Sequence, residues 1–219
     1  MMHYPTDYSP LRPGGLTLTR QLLALGGSVH GCRVLDLGCG RGETSALLAR
    51  EYGAAVTGVD ISPQMIENCH TAYPEIPFLT ADAQSLPFAD DSFDTVVCVC
   101  CFSVFPDPEK AFREVNRVLV PGGKLLLSDL CQRGNLPSGC GIVRNLYSKE
   151  AWLKMSADGG VTVTDFIDAS DAMTELYIQM ILDLGLEEAQ RTLGLCLRRE
   201  DMKKVSYMLL AGTNHMHER

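Results

Sequence analysis

Val34-Leu35-Asp36-Leu37-Gly38-Cys39-Gly40-Arg41-Gly42-Glu43-Thr44 is the stretch whose reading decides the fold. Three apolar residues around one acid read as a buried parallel strand, and G-x-G-x-G follows at once. A helical pattern opens at Glu43. The glycines allow a tight turn, close backbone approach to a ligand, and close passage of the helix. That helix also points its unpaired N–H groups into the turn. A dinucleotide fingerprint, G-x-G-x-x-G, would need its third glycine at Glu43, so the spacing speaks against a nicotinamide-dependent dehydrogenase.

Outward from this stretch the chain alternates strands and helices. Arg33 to Leu37 is the first strand, and a helix runs from Glu43 to about Tyr52. Ala55 to Val59 is the second strand, ending in Asp60. Ser62 and Pro63 start the next helix as N-cap and first helical residue. Pro77 to Thr80 is a short third strand and Phe93 to about Cys100 a fourth. Asp107-Pro108 repeats the cap signal, with Phe112, Val115, Val118 and Leu119 as an apolar stripe. Pro121-Gly122-Gly123 is expected to end that helix before a fifth strand, Lys124 to Ser128. A helix near Lys149 to Met155, a strand from Val161 to Ile167 and a last strand from Val205 to Ala211 complete the pattern. Before the first strand, Leu16 to Leu25 read as a helix stopped by Gly26-Gly27. Met1 to Gly15 read as an N-terminal arm. Short β-α-β connections argue for a parallel sheet covered by helices on both faces.

Composition narrows the function. A net charge of -8 disfavours a nucleic-acid partner, because phosphate contacts need clustered Lys and Arg. Arg198, Arg199, Lys203 and Lys204 do cluster, but four bases read as a solvated face. No apolar run has the ~20 residues of a membrane span, and the start lacks the regions of a signal peptide. Nine cysteines, an odd number scattered through strands and helices, suit reduced thiols in the cytoplasm.

Asp60 ends the strand beside the glycine turn, where an acid can accept both hydroxyls of a ribose. Asp82 and Ala83 lie past the third strand, where an acid can meet an adenine amino group. Taken together, Val34 to Thr44, Val56 to Met65, Thr80 to Pro87, Phe93 to Val97 and Asp107 to Asp129 resemble successive blocks of class I S-adenosylmethionine-dependent methyltransferases. They are most similar to the branch that includes quinone-biosynthesis C-methyltransferases. The resemblance implies a doubly wound, Rossmann-like α/β sheet of seven strands in the order 3-2-1-4-5-7-6, with strand 7 antiparallel. It also implies S-adenosylmethionine as cofactor and S-adenosylhomocysteine as product. In these terms Asp36, Gly38, Cys39, Gly40 and Gly42 cradle the methionine part and Asp60 holds the ribose. Ile61 and Met65 pack near the adenine, Asp82 and Ala83 contact its edge, and Cys98 lines the cofactor near its sulfur. Closure by an N-terminal segment would put Tyr8 and Arg12 in reach.

The chain departs from the family's short hairpin between strands 6 and 7, since Asp168 to Lys204 intervenes. Met173, Leu176, Tyr177, Met180, Ile181 and Leu184 recur at helical spacing up to Gly185, an amphipathic helix. This insertion is expected beside the acceptor pocket, as a lid or a homodimer contact; extension of the core is the equal alternative. The expected reaction is in-line methyl transfer to a small-molecule acceptor, largely by positioning. Asp129 is the candidate base or acceptor-binding residue, with a capping role equally open. Two other readings stand beside this one. Cys100, Cys101, Cys131 and Cys140 could meet above the sheet and take arsenite or another thiol-seeking acceptor. Alternatively, the chain binds the cofactor without catalysis. No metal site is expected, because Cys98, Cys100 and Cys101 on one strand cannot all face one ion.

Overall fold

The computed structural model describes residues 12–134, 146–192 and 203–214. Its strands are β1 (Arg33–Leu37), β2 (Ala55–Asp60), β3 (Phe78–Thr80), β4 (Phe93–Val99), β5 (Leu119–Gln132), β6 (Val161–Asp168) and β7 (Val205–Asn214). They form a seven-stranded sheet in the order β3-β2-β1-β4-β5-β7-β6. All pairs are parallel except those of β7, which runs antiparallel to both β5 and β6. The expected topology is the observed one. The strand order reverses beside β1, which pairs with β2 on one side and β4 on the other. Ligands of open α/β sheets bind outside the strands' carboxyl ends at such a point.

Alternation along the strands builds two apolar layers. Val34, Val56, Val97, Leu126 and Leu209 face one cluster, while Leu35, Val59, Val96, Leu125 and Leu210 face the other. The first layer is covered by α1 (Gly15–Gly26), α2 (Glu43–Tyr52), α3 (Pro63–Ala72), α6 (Ser170–Leu184) and α7 (Leu186–Thr192). The second is covered by α4 (Pro108–Val118) and α5 (Lys149–Asp158). Caps set several of these helices in place. Ser62 Oγ accepts from Met65 N–H at 3.4 Å to start α3, and Asp107 Oδ1 accepts from Lys110 N–H at 2.9 Å to start α4. Trp152 of α5 is fully buried and donates its indole N–H to Leu130 O at 3.1 Å, pinning α5 to β5.

Two details differ from the sequence reading. α4 stops at Val118, and Leu119 is already extended and pairs with Phe93. The ladder resumes at Thr95 and Lys124, so Pro121-Gly122-Gly123 forms an irregularity inside β5 rather than a helix stop. Proline lacks the N–H that a ladder needs and Gly122 takes φ +75°, so pairing is interrupted without ending the strand. At its far end β5 runs to Gln132 instead of Ser128, because antiparallel pairing with β7 continues to Val205. Asp129 and Cys131 therefore lie within the strand, not past it. A 3-10 turn at Phe102–Val104 and the short α7 also escaped the sequence reading.

The helix expected near Met173 to Leu184 is α6, ended by Gly185. Met173 and Met180 are buried, and Leu176, Tyr177, Ile181 and Leu184 pack on the same layer. Ile178, Leu182 and Leu186 are exposed on the outer side. No helix among the described residues is long and apolar enough to cross a membrane.

Candidate functional site

The glycine turn is stitched to β2. Gly38 and Cys39 both donate their N–H to Val59 O, at 2.8 and 2.9 Å, and Gly42 N–H closes the turn on Cys39 O at 2.8 Å. Gly38, Gly40 and Gly42 all have positive φ, the region where a side chain is costly. Open space surrounds the missing Cβ of Gly40, whereas one at Gly38 would strike Cys101 and one at Gly42 would press on Tyr73 and Cys69. Gly42 is also the N-cap of α2 and offers no side-chain cap.

Asp36 is 1% exposed at the centre of β1 and accepts a 2.5 Å hydrogen bond from Ser45 Oγ. Burial pushes its carboxyl up to about 6, opposed by the Ser45 hydrogen bond and the charge of Arg12. Since this lies above the ordinary 3.8, the native state holds the proton more tightly than the unfolded chain does. Asp36 therefore favours folding below about pH 4 and withdraws that contribution as pH rises through about 6. We expect Asp36→Asn to remove this slope. Urea midpoints measured at pH 4.5, 5.5 and 7 should fall with pH more steeply in the parent than in the variant. Parallel courses would exclude Asp36 as the source.

Asp60 joins the two loops at the carboxyl edge. Its Oδ2 accepts from Gly40 N–H at 3.0 Å and its Oδ1 from Ser62 N–H at 2.9 Å. Ile61 beside it is 68% exposed, unusual for a large apolar side chain at the mouth of a turn, and Met65 is half-buried one helical turn on. Asp82 is half-buried, its carboxylate held low by the backbone N–H and side chain of Gln84, and Ala83 is buried. Arg12, just ahead of α1, reaches over the turn: it donates to Thr44 Oγ1 at 2.9 Å, Thr19 Oγ1 at 3.2 Å and Glu43 Oε2 at 2.9 Å. Its side chain is 8% exposed. Tyr8 lies outside the described residues.

A turn with open space at Gly40, flanked by one carboxylate and an exposed apolar side chain, can take a ligand that offers both hydrogen-bond donors and an apolar face. Comparison with known proteins identifies the class. A family model described as "Methyltransferase domain" matches residues 35–127. O-methyltransferase cnsE of Penicillium expansum is 30% identical over 214 residues, covering 90% of this chain and 78% of that protein. The chain belongs to the class I S-adenosylmethionine-dependent methyltransferases. Methyltransferase GfsG of Streptomyces halstedii is 38% identical over 138 residues, 60% of this chain but only half (50%) of that protein. The structure of geranyl diphosphate methyltransferase in complex with SAM superposes with a TM-score of 0.75 at 21% identity, over 90% of this chain and 84% of that one. At that identity the likeness shows the fold.

S-adenosylmethionine is the methyl donor of this enzyme class, and the open turn and the carboxylate facing it fit that group. At the end of β4 the methyltransferase departs from several expectations. Cys98, expected to line the cofactor, is fully buried in the α4–α5 layer, so its side chain presents no surface. Asp129 is fully buried as well. Its Oδ2 accepts from Ser103 N–H at 2.9 Å and its Oδ1 from Leu130 N–H at 2.7 Å. Burial raises its pKa and the hydrogen bonds from Ser103 oppose this. It therefore holds the 3-10 turn after β4 through the Ser103 N–H.

Nor do the cysteines converge. Cys100 packs on the α1–α6 layer, whereas Cys101 and Cys131 belong to the α4–α5 layer. Cys101 Sγ contacts Leu37 O at 3.1 Å. Burial raises the pKa of all three thiols, the wrong direction for a soft anionic ligand. Among the described residues no group of three or more His, Cys, Asp or Glu could hold a metal ion; Cys140 lies outside them, as do Arg198 and Arg199. The arsenite reading loses its basis.

Ser45 and Cys69 were missed by the sequence reading. Cys69 Sγ donates to Gly40 O at 3.2 Å. A usable signal existed only for Ser45, a polar residue two positions into a helix whose next three residues face the core.

Proposed function

We propose that this methyltransferase alkylates an oxygen or carbon of a small, largely apolar acceptor, seated between the end of β4 and the α6–α7 insertion. The donor supplies a sulfonium methyl group, and displacement is in line. The observation that carries the reading is the pairing of the Gly38–Gly42 turn with Asp60 across the carboxyl edge, with Gly40 N–H already bound to Asp60 Oδ2 at 3.0 Å. In this arrangement Asp36, Gly38, Cys39, Gly40 and Gly42 bind the amino-acid end. Asp60 retains lone pairs for the ribose hydroxyls, Ile61 and Met65 flank the base, and Asp82 with Ala83 meets its edge.

Acceleration comes mainly from holding the attacking atom near the methyl group. Asp129 is enclosed, so the reading assigns it no proton transfer. Three features support an uncharged or weakly acidic small molecule as acceptor. The chain's net charge is -8, α6 turns an apolar face inward, and a relative that spans 90% of the chain is named an O-methyltransferase. The exposed Ile178, Leu182 and Leu186 support the outer side of the insertion as a homodimer contact.

Calorimetry with S-adenosylmethionine and with NAD tests the cradle: the first should bind and the second should not. Transfer of a radiolabelled methyl group to phenols and to long-chain carboxylic acids tests the acceptor. Tight S-adenosylhomocysteine binding without label transfer to either group would sink this assignment of acceptor.

A further inference from the structure

The insertion carries a polar atom that its packing leaves unexplained. α6 sets Met173, Leu176, Tyr177, Met180, Ile181 and Leu184 against the apolar layer. Among these the Tyr177 hydroxyl is buried and has no hydrogen-bond partner among the described residues. The other tyrosine at this end of the layer, Tyr207, is fully buried but donates its hydroxyl to Ser128 Oγ at 3.1 Å. An unpartnered buried hydroxyl costs about 1–3 kcal/mol, and a phenylalanine would fill the same space without that cost. A tyrosine at this position makes physical sense if something arrives to meet its oxygen.

The layer it belongs to indicates what arrives. Tyr177 shares its packed layer with Val99, the last residue of β4, with Cys100 just after it, and with Leu130 and Val205 at the carboxyl edge of β5 and the start of β7. Cys100 is held at φ +59°, a conformation that non-glycine residues adopt mainly at turns and functional sites. α6 leaves β6 at this same edge, where Ala169 N–H bonds Tyr207 O at 2.8 Å. The side chains on either side of Tyr177 along the inner face are apolar. One hydroxyl in an apolar wall suits a molecule with an apolar body and one oxygen.

We propose that the Tyr177 hydroxyl hydrogen-bonds an oxygen of the methyl acceptor, a phenol-like amphiphile whose apolar body lies along Leu176 and Ile181. This rests on the acceptor site assigned above.

The test uses the full chain saturated with S-adenosylhomocysteine, and the probes 1-naphthol and naphthalene. The parent should bind 1-naphthol about tenfold more tightly than naphthalene, as one net hydrogen bond allows. Tyr177→Phe should bring that ratio close to one by weakening 1-naphthol alone. It should leave S-adenosylhomocysteine affinity unchanged and leave Tm equal to the parent's or higher, since the orphan hydroxyl is gone. A purely structural tyrosine would shift Tm or S-adenosylhomocysteine affinity and keep the ratio, which would overturn the proposal. So would a parent that prefers neither probe or binds neither. Failure of the parent to bind S-adenosylhomocysteine would instead refute the cofactor cradle, which the same calorimetric titration reads separately.

Discussion

Asp60→Ala is expected to weaken S-adenosylmethionine binding by about 1–3 kcal/mol, roughly five- to 150-fold in Kd. The loss has two sources. The ligand loses the charged acceptor for its ribose hydroxyls, and the turn loses the carboxylate that receives Gly40 N–H at 3.0 Å and Ser62 N–H at 2.9 Å. Asp60→Asn separates them, because an amide oxygen still accepts one backbone N–H but carries no charge. If the charge matters most, both variants bind equally poorly; if turn geometry matters most, asparagine recovers much of the affinity. Titration calorimetry on both proteins, with Tm of the unliganded forms, makes the distinction. Unchanged affinity in Asp60→Ala would remove the residue from the site.

Gly38→Ala should be more damaging, to fold and ligand alike. Its backbone has φ +72°, and an added Cβ would sit 2.6 Å from Cys101 Sγ and 2.8 Å from Cys101 Cβ. The left-handed conformation costs about 1–2 kcal/mol with a side chain, and overpacking a dense interior adds about 1–3 kcal/mol. A Tm lower by several degrees and a large loss of S-adenosylmethionine affinity are the expected results. Adding Cys101→Gly removes both close contacts but not the dihedral cost. The double variant should therefore regain the packing share only, giving a measurable coupling between the two sites. Simple additivity in a thermal-unfolding cycle would show that Cys101 is not what the methyl group meets.

Most element boundaries were legible because they rest on local signals, whereas the strand order followed from the resemblance to the family. The run from Val34 to Thr44 carries both the strand and the turn that follows it, and Ser62-Pro63 and Asp107-Pro108 mark helix starts by side-chain caps that the structure contains. What escaped the sequence depends on partners distant in the chain. β5 extends to Gln132 only because β7 pairs alongside it. Asp129 and Cys98 looked available from their place near strand ends, but strand alternation turns both toward the α4–α5 layer. A shift of one residue reverses the face a side chain occupies, so a strand end misplaced by a few residues misassigns its chemistry. Tyr177 showed the opposite weakness: periodicity counted it as core and said nothing about its oxygen.

The arrangement of helices on the first apolar layer bears on how such an enzyme could change its chemistry over time. The residues facing the turn come from β1, β2, α2 and α3, while α6 and α7 are attached further along the carboxyl edge, between β6 and β7. Substitutions along α6 can therefore accumulate without disturbing the donor's anchorage, which leaves one half of the molecule free to diversify while the other stays fixed. Exchanging the α6–α7 segment between members of the class should transplant the preference for a methyl acceptor and leave the affinity for the donor where it was.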